Sequence, residues 1–149
     1  MKKLFLIIPA ILLLGCEVHV DDRPEVSYLL MPGMEDLGLP FSSAVLAGHT
    51  MYLSGNLGII PGTVNLAEGG IQAETRQTME NISRVLEQFG SSMDDVVKCT
   101  VFLVDMAEWG AMNEVYRTFF KNPPARSAVG ASGLALGARV EIECIAIVD

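Results

Sequence analysis

Histidine is nearly missing from this chain: His19 and His49 are the only two in 149 residues. Cysteine is scarce as well, at three. Neither type shows the close spacing that metal sites use, so a zinc-type centre and a histidine-based triad both lack candidates. Basic residues are few: ten Lys and Arg stand against eighteen Asp and Glu, for a formal charge of −8. A nucleic-acid surface displaces counterions with clustered cations, and no such cluster exists here. Nor is there a polybasic patch for anionic lipid. The one long apolar run, Leu4 to Leu14, is too short to span a bilayer. No internal repeat and no second domain is visible.

Apolar residues are abundant, at 50 %, so the chain is long and apolar enough for one domain with a core. The N-terminus stands apart from it. Met1-Lys2-Lys3 is basic, the following run is broken only by Pro9, and it ends in Leu13-Leu14-Gly15-Cys16. That order resembles the lipobox of bacterial lipoproteins, where cleavage leaves the cysteine diacylated and N-terminal. The expected layout is a signal peptide over 1–15, a lipidated Cys16 and tether over 16–25, and a domain over 26–149. Loss of Lys2 and Lys3 takes the charge from −8 to −10. Two acyl chains, at about 0.8 kcal/mol per buried methylene, would hold the domain firmly on a membrane. The expected location is the bacterial periplasm, and Glu17 after the cysteine favours the outer membrane. Cys99 and Cys144 then remain, both in apolar runs. A disulfide is open to them in an oxidising compartment, but the reading preferred here is two buried thiols acting as small hydrophobes.

Periodicity orders the rest. Strands are expected at Val26–Leu30, Ser43–Ala47 and Met51–Asn56, with loops around Pro32-Gly33 and Pro61-Gly62. Ile71, Thr75, Met79, Ile82, Leu86 and Phe89 share one face of a helix that Gly90 ends. Glu74, Arg76, Glu80 and Arg84 fill much of its other side. Val96–Val104 reads as a strand. Asp105 can cap a second helix over 106–120. Two strands close the chain. The order, close to ββ-α-β-α-ββ, implies an α+β domain with helices on one face of a mixed sheet.

The two closing strands hold the candidate chemistry. Pro123-Pro124-Ala125-Arg126-Ser127 brings an arginine out of a stiff turn. Val140-Glu141-Ile142-Glu143-Cys144 alternates apolar and acidic residues, then turns wholly apolar. Neighbouring strands could set Arg126 beside Glu141. Arginine clamps a planar carboxylate with two parallel hydrogen bonds, and a glutamate can orient or deprotonate water. A plain structural ion pair fits the same residues.

These segments, with Tyr52-Leu53-Ser54-Gly55, Asn81-Ile82, Val97 to Asp105 and Met112-Asn113-Glu114-Val115-Tyr116, resemble the RidA/YjgF family of reactive intermediate deaminases, from about Pro40 onward. The resemblance implies a chorismate-mutase-like fold, a homotrimer with clefts between subunits, and hydrolysis of 2-imino acids or their enamines to 2-oxo acids. It implies no cofactor and no metal. By position it makes Arg126 the carboxylate clamp and Glu141 the water-associated acid. It makes Ser54, Gly55, Asn113 and the backbone of Ala128 part of the substrate cleft. Many members carry tyrosine where this chain has Phe41, which can wall the pocket but cannot donate a hydrogen bond. A non-catalytic module that binds a small carboxylate is the alternative. A ribonuclease-like activity is opposed by the acidic charge and the export signal, and no nucleic-acid partner is expected.

Overall fold

The structure, a computed structural model, describes residues 24–148. The signal segment, Cys16 and His19 lie outside them. The described elements are β1 (Val26–Leu29), β2 (Ala44–Ala47), β3 (Thr50–Leu53), β4 (Asn56–Leu57), α1 (Gly70–Gln88), β5 (Val96–Leu103), α2 (Trp109–Tyr116), β6 (Ala125–Gly130) and β7 (Val140–Ile147). This is the expected α+β architecture. The sheet runs β1-β2-β3-β7-β5-β6, with the short β4 also paired to β7. Only β5 and β6 are parallel. A parallel pair needs a crossover, and α2 supplies it.

The helix over 106–120 is shorter than its pattern. It divides into a 3-10 turn at Met106–Glu108, α2 itself and a second 3-10 turn at Arg117–Phe119. Gly110 weakens its start, and the Thr118-Phe119-Phe120 run weakens its end. Asp105 caps it as expected, accepting the Ala107 N–H at 2.8 Å. Helix α1 matches its pattern and stops at Gly90, whose φ of 79° is the left-handed value a helix end uses.

Strand register assigns every sheet residue to a face, because partners directly opposite point the same way. The covered face carries Met51, Leu53, Val101, Leu103, Ile142 and Ala146, packed on Met79, Ile82 and Leu86 of α1. Each Val, Leu, Ile or Met side chain among them, fully buried, contributes about 1.5–3 kcal/mol. Among the described residues no helix covers the other face. There Tyr28, Tyr52, Val129 and Ile147 stay 75, 48, 43 and 48 % exposed. The wholly apolar end of β7 alternates in burial like the rest of the strand, and its outer residues belong to this open apolar face.

Two expectations are corrected. Cys99 and Cys144 are not free thiols. They are direct partners across β5 and β7 and form a disulfide. Glu74 is not on the polar side of α1. It is 4 % exposed, and its Oε1 accepts the backbone N–H groups of Arg139 at 2.7 Å and Val140 at 3.3 Å. Those amides open β7, so the buried carboxylate caps the strand that carries Glu141.

Candidate functional site

Glu141 sits on the open face of β7, opposite Leu57 of β4 and Phe102 of β5. Strand β4 is short, and Asn81 of α1 steadies it by donating to the carbonyls of Leu57 at 3.0 Å and Ile59 at 2.8 Å. The glutamate side chain then lies against Gly55. A Cβ built there would stand 2.9 Å from the Glu141 Cδ, so any larger residue would push the carboxylate from its present place. Next to it, the Ser54 hydroxyl donates to the Ser42 carbonyl at 2.6 Å. Ser54 and Phe41 line an open groove of about 550 Å³ with Tyr28, Leu30, Leu39 and Val45. Phe41, Ser54, Gly55 and Glu141 therefore form one group. Partial burial, helped by the nearby Glu143 charge, raises the Glu141 pKa above the ordinary carboxylate value. Among the described residues none hydrogen-bonds its carboxylate.

Arg126 belongs to a second group. Its register partner is Cys99, so it points to the helix-covered side of the edge strand β6. Its guanidinium carbon lies 4.6 Å from the Tyr116 ring centroid and 5.9 Å from that of Trp109. Asn113 is 9 % exposed and sits between those aromatics along α2. Ala128 shares the face of Arg126, opposite Val101. Among the described residues Arg126 has neither a hydrogen bond nor an ion pair. Other arginines do: Arg139 reaches Glu108 at 2.6 Å, and Arg117 donates to the Asn113 carbonyl at 3.2 Å. Burial pushes the Tyr116 phenol up to about 12, against the pull of Arg126.

Arg126 and Glu141 are thus not beside each other within the chain. Strand β5 runs between β6 and β7. Arg126 pairs with Cys99 and Glu141 with Phe102, three residues further along β5, so the two point to opposite faces. The structure gathers the predicted cleft residues into two groups and leaves the groups apart.

Residues 37–148 match the family described as Endoribonuclease L-PSP. The chain belongs to that family. A mouse protein named 2-iminobutanoate/2-iminopropanoate deaminase is 41 % identical over 109 residues, covering 72 % of this chain and 81 % of the mouse protein. Among solved structures of similar fold, RidA from an Antarctic Psychrobacter is 41 % identical with a TM-score of 0.71, over 74 % of this chain and 90 % of that one. E. coli TdcF with bound serine is 30 % identical, also with a TM-score of 0.71, over 74 % and 90 %. The L-PSP match begins just before Phe41 and takes in both groups of residues.

Sequence reasoning passed over Trp109, Tyr116 and Glu74. The seven-residue step from Trp109 to Tyr116 puts both rings on one helical face, which was a usable signal. Nothing in the pattern around Glu74 distinguished it from its solvated neighbours. Among the described residues no three His, Cys, Asp or Glu side chains are grouped to hold a metal ion.

Proposed function

We propose that this domain hydrolyses 2-imino acids, or their enamine tautomers, to 2-oxo acids and ammonia. The observation that carries the reading is Arg126: a partly buried guanidinium with no anion beside it among the described residues, on the covered face of an edge strand. A substrate carboxylate would supply the missing charge through a bidentate pair. Glu141, as the carboxylate, would take a proton from water while the oxygen adds to the carbon of the protonated imine. Glu141 would then return that proton to the carbinolamine nitrogen, and the C–N bond breaks as the hydroxyl proton passes back to the carboxylate, so that ammonia leaves and the C=O bond forms. An imine carbon is already electrophilic, so placing water and substrate is most of the task. The names of the mouse deaminase and of the serine-bound TdcF fit a small amino-acid-like carboxylate.

The reaction needs both halves at one place. A homotrimer would bring the β6 edge of one copy to the open face of the next and close a cleft there. The exposed tyrosines and aliphatics of that face favour burial of this kind. The same reading keeps residues 26–149 as the domain, 16–25 as its tether and Cys16 as the lipid-bearing residue at the membrane. The Cys99–Cys144 disulfide suits an exported protein, since oxidising compartments sustain such bonds. Replacing Cys16 with serine should move the protein from the membrane to the soluble fraction; unchanged fractionation would refute the anchor.

Phe41 gives the alternative a foothold, because it walls the groove without a hydroxyl. The module would then bind a carboxylate without turnover. Imino acids made in situ by an amino-acid oxidase and trapped by semicarbazide decide between the two. The deaminase lowers semicarbazone formation and its Arg126→Ala form does not. No effect of the wild type across small, large and apolar imino acids leaves the binding module.

A further inference from the structure

The aromatic residues around Arg126 have no part in the reaction as written above. Helix α2 sets Trp109, Asn113 and Tyr116 four and three residues apart, on one face. Arg126 arrives from β6 with its guanidinium 4.6 Å from one ring and 5.9 Å from the other. Both distances are within the range where a cation is drawn to a ring face. Phe120 packs on Tyr116 with ring centroids 4.9 Å apart, which limits how far that ring can swing.

Resting on the carboxylate clamp of the deaminase reading, we infer that Tyr116 and Trp109 form an aromatic cradle that positions the Arg126 guanidinium for its substrate. They are positioning residues, since neither meets the reacting carbon. An acidic partner could also orient Arg126. It would, however, neutralise the charge and occupy the N–H groups that the substrate needs. A ring holds the cation without accepting those N–H bonds in the manner of a carboxylate. The Tyr116 hydroxyl is buried and unpartnered among the described residues, and the phenol stays neutral through the working pH range. What Tyr116 offers Arg126 is therefore the ring.

The test compares Tyr116→Leu, which removes the ring, with Tyr116→Phe, which keeps it. Trp109→Leu is the second ring deletion, and at 44 % exposure that residue tolerates loss without threatening the fold. Three quantities are read: KM and kcat for an oxidase-generated imino acid, and Kd for pyruvate by calorimetry. The cradle predicts that both ring deletions raise KM and Kd together by about three- to thirtyfold while kcat changes less. Tyr116→Phe restores both constants to within about twofold of wild type. Folded deletion variants with unchanged KM and Kd would overturn the inference, as would a fall in kcat alone. Should Tyr116→Leu not fold, Trp109→Leu decides. If the wild type binds pyruvate but turns over no imino acid, the deaminase reading fails and the Kd series alone judges the cradle. A wild type that binds no carboxylate overturns it.

Discussion

Glu141 and Arg126 are held in contrasting ways. Glu141 stands on an inner strand, paired on both sides, and its strand is pinned by the Cys99–Cys144 disulfide and by the Glu74 carboxylate. Backbone and covalent bonds set its position. Arg126 stands on an edge strand and is steadied by the rings of a neighbouring helix. Its position depends on side chains. The acid half is therefore sensitive to changes in backbone and close packing, and the cation half to loss of charge or rings.

The largest effect should come from Arg126→Ala. Losing a bidentate, charge-assisted pair worth roughly 1.5–3 kcal/mol per bond predicts about a hundredfold or greater fall in kcat/KM. Circular dichroism and Tm should hardly change, because no protein anion is left behind; a large drop in Tm would mean that Arg126 is structural. Reducing the disulfide, or replacing both cysteines with serine, should weaken the folded state next. A closed loop with a separation of 45 residues gives about 4 kcal/mol by the chain-entropy estimate. Tm should then fall by about 10 °C, and an unchanged melting curve with a reductant would contradict the bond's structural weight.

Glu74→Ala removes the acceptor for two strand-opening amides and should cost about 2–3 kcal/mol in denaturant unfolding. Gly55→Ala is smaller in stability but specific in place. The new methyl displaces the Glu141 carboxylate, and kcat/KM should fall about tenfold or more with Tm little altered. Equal activity in this variant would show that Glu141 need not rest where it does.

The smallest effect is in pH. Burial and then the Glu143 charge raise the Glu141 pKa, and the proposed reaction uses the ionised carboxylate. Activity should therefore rise with pH through that elevated value and be lost as pH falls through it. Glu143→Gln removes a like charge, lowers the Glu141 pKa and moves the acid limb to lower pH. A limb that does not move assigns it to another group.

Much of this was legible in the sequence. The α1 stripe, its Gly90 stop, the Asp105 cap and the β5 and β7 runs follow from periodicity and local chemistry. Arg126 and Glu141 stood out as residue types, and the family resemblance supplied their companions. Register did not come through, because nothing local tells β6 that β5 lies between it and β7. The disulfide was hidden for the same reason: facing positions on paired strands cannot be read from two apolar runs. Glu74 was misplaced because its partners are backbone amides 65 residues away, which leave no trace in side-chain pattern.

The central claim is that Arg126 and Glu141 of one chain serve different clefts. Mixing tests it most directly. Arg126→Ala and Glu141→Gln proteins, each inactive alone, would be unfolded together, refolded at equal ratio and assayed for imine hydrolysis. If one copy lends the arginine and its neighbour the glutamate, about a quarter of the clefts in random mixed assemblies regain both groups, and activity returns in that proportion. A mixture that assembles yet stays inactive, beside an active wild type, would contradict the account and place both residues of each site on a single chain.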